Sequence, residues 1–118
     1  KLSPEKIHHV LAYADLFYGE SATMASECSV LGTHSIFLDS FGRGYTDEQE
    51  KKYGLVYNFS GSLQDQSLSI RKGIELLKNP NLKSQSQIKS KKLISDKIDV
   101  SSWAVDFILS KMKVNNYV

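Results

Sequence analysis

The stretch Leu16-Phe17-Tyr18-Gly19-Glu20-Ser21-Ala22-Thr23-Met24-Ala25-Ser26-Glu27 passes from a short apolar run into small and hydroxyl-bearing residues. The run Leu16–Tyr18, ended by Gly19, reads as a buried strand, and a helix is expected from Ser21. Met24, Cys28 and Leu31 then fall on one helical stripe, and Gly32 suits the left-handed residue that terminates it. A strand that turns so quickly into a helix leaves the first-turn amides unpaired, at the positive end of the helix dipole. Such an end lies beyond the carboxyl end of a parallel strand, where open α/β sheets hold their ligands. The hydroxyls of Ser21 and Thr23 can donate to phosphate oxygens. Glu27, one turn further on, can accept from the vicinal hydroxyls of a ribose. The same residues also suit an ordinary capped helix with a solvated carboxylate, and spacing alone does not separate the two readings.

Outward from this segment the pattern alternates. Upstream, Ser3-Pro4-Glu5 is a helix start, and Ile7, Val10, Leu11 and Ala14 follow at the spacing of one buried face. Downstream, Ser35–Leu38 reads as a second strand and Asp39–Tyr45, with Gly42 and Gly44, as a loop. Thr46 and Gln49 have the spacing of a capping box, opening a short helix to about Tyr53. Gly54 closes it, and Leu55–Phe59 is a third strand. Ser60-Gly61-Ser62 is a turn before a helix reaching about Lys78, with Leu68, Ile74 and Leu77 expected inward and Asn79-Pro80 as its stop. The Lys/Ser/Gln-rich segment from Leu82 to Lys97 is expected to be helical. A last helix begins at Ser101 or Ser102 and carries Trp103, Phe107 and Ile108 on its apolar side. The order αβαβαβ followed by helices predicts an α/β fold: a Rossmann-like, three-layer parallel sheet of about three strands with extra C-terminal helices.

The chain has 118 residues, room for one domain and one core. With 41% hydrophobic and 24% charged residues it has the composition of a globular domain rather than a disordered one. A single Cys28 leaves no internal disulfide framework, which makes a reducing, cytoplasmic setting the expectation. Charge is uneven: residues 1–70 hold five Lys/Arg against nine Asp/Glu, and residues 71–118 hold ten against four. A basic half of this kind suits an anionic membrane surface, at the inner face of which a peripheral protein would sit. A solvated helical face is the simpler reading of those lysines. No aromatic residues interleave with them, so no nucleic-acid partner is expected.

From Ser21 through Glu27, Cys28 to Gly32 and Ser35 to Leu38, the sequence resembles the donor-binding segment of GT-B glycosyltransferases. It is similar in particular to the bacterial N-acetylglucosaminyltransferase of peptidoglycan synthesis and to the non-hydrolysing UDP-N-acetylglucosamine 2-epimerases. The run Ala14-Asp15-Leu16-Phe17-Tyr18-Gly19-Glu20-Ser21 most resembles an uncharacterised GT-B-like family found among surface-polysaccharide genes. The resemblance covers roughly residues 3–80 well and the C-terminal helices loosely. It implies a GT-B C-terminal subdomain, residues 1–118 being one partial nucleotide-sugar-binding domain of a longer protein whose N-terminal acceptor domain lies elsewhere. The implied function is the donor side of a glycosyltransferase of surface-polysaccharide (lipopolysaccharide or capsule) synthesis, with a nucleotide-sugar, a UDP-sugar by analogy, as substrate and no cofactor or metal. On this resemblance Ser21, Ala22 and Thr23 bind the nucleotide diphosphate, Glu27 the ribose, and Thr46, Asp47 and Glu48 the donor sugar. No catalytic base is implied within these residues, and the fragment alone is expected to be inactive. Two departures stand out: Ser21-Ala22 replaces a Gly-rich loop, and His34 stands where Pro is common.

Two other readings compete: a fragment of a 2-epimerase-like enzyme, and a non-enzymatic α/β interaction module using the basic C-terminal helices. Arg43, between two glycines, suits a phosphate clamp and a plain loop residue equally. His8 and His9 lack metal-ligand partners at the required spacing. His34 reads as a turn residue and Cys28 as a small buried hydrophobe. A sheet built from only part of a domain is expected to leave an open edge, through which copies can associate.

Overall fold

The computed structural model describes residues 2–41 and 44–114. A 3-10 turn, Pro4–Lys6, leads into α1 (Ile7–Tyr13). Then come β1 (Leu16–Gly19), α2 (Ala22–Leu31), β2 (His34–Leu38), α3 (Gly44–Lys51) and β3 (Val56–Phe59). Three helices finish the chain: α4 (Leu63–Leu77), α5 (Leu82–Ser95) and α6 (Val100–Val114). The strands form one parallel sheet in the order β1-β2-β3, with Tyr18 beside Ile36 and Ile36 beside Tyr57. This is the predicted α/β class, in a Rossmann-like layout. No described helix is long and apolar enough to cross a membrane.

Alternation along the strands divides the core into two faces. Phe17, Phe37 and Val56 point to one side, against Ala22 and Ala25 of α2. Leu16, Ile36, Leu38, Tyr57 and Phe59 point to the other, against Leu76 of α4 and Leu82 at the start of α5. Helix α2 begins with Ser21 accepting from the Met24 amide at 3.2 Å and ends at Gly32, whose φ of 79° is the left-handed cap anticipated from sequence. Gly54, with φ of 63°, closes the turn after α3 in the same way. Cys28 is fully buried, as its place on the stripe suggested, and burial pushes its thiol pKa up.

Several local expectations are corrected. Helix α3 begins at Gly44, two residues before the supposed capping box; Thr46 is therefore an interior helix residue, and the Gln49 amide donates instead to the Ser26 hydroxyl at 2.8 Å. In α1 only Leu11 is buried, and Val10 stays exposed. In α4 the inward residues are Ser69, Gly73 and Leu76, while Leu68, Ile74 and Leu77 face outward. The reason is close approach: a Cβ on Gly73 would meet Ile36 Cδ1 at 3.3 Å, so this helix lies on the sheet through small residues. His34 is the first residue of β2 rather than a turn residue, and it is buried.

Helix α5 lies across the amino ends of the strands, and its polar residues are structural. Ser86 donates to the Gly32 carbonyl and Ser90 to the Val30 carbonyl, both at 2.7 Å. The Lys83 ammonium donates to the carbonyls of Ala12 and Ala14 and to the Thr33 hydroxyl. Lys89 donates to the Gly54 carbonyl at 3.1 Å and lies 3.1 Å from His34 Nε2. These are the carbonyls that helix and loop ends leave unpaired, and a cation is the favoured partner there. A solvated face therefore describes only part of α5: Lys83 and Lys89 are half-buried, and desolvation lowers the pKa of each.

Candidate functional site

All three strands end on the same side, and the loops that follow them surround an open cleft of about 790 Å³. Its lining comes from Tyr18, Gly19 and Glu20 after β1, Leu38, Asp39 and Ser40 after β2, Gly61 after β3, and Gln66 and Ile70 on α4. The wall on the α4 side is fixed by a relay. Ser69 donates its hydroxyl to the Gln66 carbonyl at 2.7 Å, so the Tyr18 hydroxyl, 2.7 Å from Ser69 Oγ, is the donor to it. The β3–α4 turn is equally constrained: Ser62 accepts from the Asp65 amide, and Asp65 accepts from the Ser60 amide at 2.7 Å. Hydrogen bonds from the Ser60 hydroxyl and amide hold the Asp65 carboxyl below its ordinary pKa. At Gly61 any side chain would press on Ser40 Oγ, at 3.2 Å from its first carbon, so the two loops meet closely there.

A second, smaller hollow of about 280 Å³ lies between α2 and α3, lined by Thr23, Ser26, Glu27 and Tyr45. The Ser26 hydroxyl in its wall accepts from Gln49, whose own carbonyl oxygen is buried without a partner. Beneath α3, Asn58 on β3 donates to the Thr46 carbonyl at 3.1 Å and to Glu50 at 2.6 Å.

Segment 19–27 borders both hollows: Gly19 and Glu20 line the larger, Thr23 and Glu27 the smaller. Between them Ser21 caps α2, and helix geometry gives the amides of Ala22 and Thr23 no carbonyl within the helix. Ser21 and Ala22 are half-buried and line neither hollow. Glu27 has a partner the sequence gave no sign of, His8 of α1, at 3.5 Å, an ion pair whenever that imidazole is protonated.

The three donor-sugar candidates are dispersed. Thr46 is 0% exposed, packed inside α3. Glu48 is held by Lys97 at 2.8 and 3.0 Å, and that hydrogen bond lowers its pKa. Asp47 is half-exposed in the first turn of α3. None of the three lines either hollow. Arg43 lies outside the described residues. No group of three or more metal-ligating side chains occurs among the described residues.

Sequence reasoning passed over Tyr18, Asp39, Ser40 and Gln66 of the larger cleft. Their signal was positional, since three of them sit at or just past a predicted strand's carboxyl end. These features define the class: a parallel α/β domain with an open cleft at the carboxyl ends of its strands. Comparison with protein-family models, curated proteins and solved structures finds no match to this chain.

Proposed function

We propose that this domain binds a nucleotide-sugar and forms the donor side of a GT-B-like glycosyltransferase of surface-polysaccharide synthesis. The observation that carries the reading is that one segment, residues 19–27, borders both hollows and presents the unpaired first-turn amides of α2 between them. Ser21, Ala22 and Thr23 then receive the diphosphate through those amides and hydroxyls. A helix N-terminus is favourable for an anion and stabilises the charge that develops on a leaving diphosphate without a metal. Glu27, at the rim of the smaller hollow, accepts from the ribose hydroxyls. The larger cleft, lined by Glu20, Asp39, Ser40 and Gln66, takes the sugar. Thr46 serves as a packing residue beneath that arrangement rather than as a sugar contact, because its side chain is enclosed. The acceptor and any general base come from elsewhere, and the setting is the cytoplasmic side of a membrane.

Titration of the chain with UDP and UDP-N-acetylglucosamine, followed by amide NMR, tests this. The expected result is saturable shifts centred on residues 20–27, with Glu27→Gln weakening binding tenfold or more, the scale of a hydrogen bond to a charged group. Absence of shifts at millimolar nucleotide refutes nucleotide binding, and unchanged affinity in Glu27→Gln refutes the ribose assignment. If both hold, product analysis of the full-length enzyme separates sugar transfer from 2-epimerisation.

A further inference from the structure

Two apolar surfaces of this chain have no partner among the described residues. Helix α6 makes no extended contact with any other described element, and the molecule is correspondingly long, 60 × 33 × 28 Å. Trp103, Phe107, Ile108, Leu109 and Met112 are all partly or largely exposed on it, Trp103 at 55%. Trp103 stacks on Phe107 with centroids 5.4 Å apart, and Lys111 lies over Phe107 at 5.5 Å. Ser102, Asp106 and Ser110 form one polar strip, Ser101 and Lys111 interrupt the apolar remainder, and Trp103 and Phe107 share one flank of it. An isolated helix of this length is marginal in water, so its order depends on covering that face.

The second surface is on α4. Leu63, Ile70, Ile74 and Leu77 share one stripe, and all four are exposed, Leu63 at 82%. Gly73 touches Leu16 of β1 and Ile36 of β2, whereas Lys72 lies over Tyr57 of β3 at 4.7 Å. The stripe lies beyond Gly73, so it overhangs β1, whose outer edge is unpaired.

The chain's own α6 does not reach this stripe. The root of α6 is pinned on the opposite face, at the α3 side. Tyr53 donates to Asp96 at 2.9 Å, and Lys97 is bonded to Glu48 on α3. From there residues 97–99 span about 10 Å at most. The α4 stripe lies across two strand spacings and two packed layers, roughly 20 Å or more away, and α6 leaves this root without making an extended contact with α4.

We propose that two copies of this chain associate by exchange, α6 of each docking onto the α4 stripe beside the open β1 edge of the other. Such a contact is isologous and closes on itself as a two-fold dimer. The exposed apolar surface amounts to roughly 400 Å² on the flank of α6 that carries Trp103 and Phe107 and roughly 400 Å² on α4, taking about half of each large side chain's area. Two reciprocal contacts then remove on the order of 1,200–2,000 Å², the size of a stable protein–protein interface. This inference does not rest on nucleotide binding, although Ile70 of the stripe also lines the larger cleft.

Sedimentation equilibrium of the 118-residue chain tests it. A dimer is expected at micromolar concentration. Phe107→Glu on α6 and Ile74→Glu on α4 should each raise the dissociation constant tenfold or more. Both positions are exposed in the single chain, so circular dichroism should show the fold retained. An equimolar mixture of the two variants should regain part of the association, because one α6–α4 contact in the mixed dimer is intact. A chain that stays monomeric throughout overturns the proposal. Association that ignores Ile74→Glu overturns it in favour of α6–α6 pairing, and a monomer that binds anionic vesicles through α6 overturns it in favour of a lipid surface.

Discussion

Acid should weaken this fold through a single buried imidazole. His34 opens β2 at 1% exposure, with the Lys89 ammonium 3.1 Å from Nε2 and the Tyr57 ring stacked at 6.1 Å. Burial is the first reason its pKa falls from 6.5 to about 4; the positive charges of Lys89, Lys72 and Lys83 lower it further, and the Gly54 carbonyl works the other way. In the unfolded chain the same imidazole titrates normally. Between the two pKa values the unfolded state therefore binds the extra proton, and stability rises with pH across that window. The contribution is complete above about pH 6.5 and shrinks as pH falls toward 4. Linkage gives a loss of about 2 kcal/mol by pH 5 and about 3 kcal/mol by pH 4 relative to neutral pH. For a domain held together by about 5–15 kcal/mol, that is a large share. Urea unfolding followed by far-UV circular dichroism at half-unit steps from pH 4.5 to 7.5 measures it. His34→Gln should be less stable at neutral pH but lack this slope, which separates the imidazole from carboxylates titrating lower. A native chain whose stability is flat from pH 5 to 7, or a variant with the native slope, refutes the reasoning.

Two further outcomes follow from the same elements. Lys83→Met leaves the Ala12 and Ala14 carbonyls and the Thr33 hydroxyl without their shared donor. A loss of about 1–3 kcal/mol in urea unfolding is expected, with hydrogen exchange quickened first at the α1–β1 junction. Gly32→Ala forces a side chain into the left-handed region at φ 79° and against Gln87, whose Cγ lies 3.2 Å from the added carbon. It should destabilise by about 1 kcal/mol or more, read as a lower thermal midpoint, whereas Gly44→Ala, with open space around it, should not.

The three strands, the two left-handed glycine caps and the α/β order were legible because local patterning decides them. Leu16–Tyr18 and Ser35–Leu38 are short apolar runs, and Gly32 and Gly54 stand where backbone geometry demands glycine. The face of α4 was not legible. Hydrophobic periodicity pointed to Leu68, Ile74 and Leu77, but the sheet accepts the helix through Ser69 and Gly73, whose smallness matters and whose hydropathy carries no signal. Helix α5 failed differently: its Lys/Ser composition suggests solvent, while its partners are carbonyls 35 to 71 residues away in sequence. The candidate site was half legible. Residues 19–27 announce a helix start at a strand end, but Gln66 and Ile70 reach the cleft only through the packing of α4.

The bracing by α5 also bears on the order in which the molecule can be completed. The carbonyls of Ala12, Ala14, Val30, Gly32 and Gly54 all take their donors from residues 83–90. A nascent chain that has released only the three strands and α4 keeps the Thr33 hydroxyl on the Ala14 carbonyl but carries four acceptors, Ala12, Val30, Gly32 and Gly54, without their donors, so its sheet is assembled but its base stays wet. The last step is then cooperative by construction: α5 satisfies α1, α2 and the α3–β3 turn in one docking event, setting a long-range closure late on the folding route. A ribosome-bound chain stalled so that residue 80 has emerged should be protease-sensitive at the α1–β1 junction, the carboxyl end of α2 and the α3–β3 turn, and one extended past residue 95 should acquire protection at all three together.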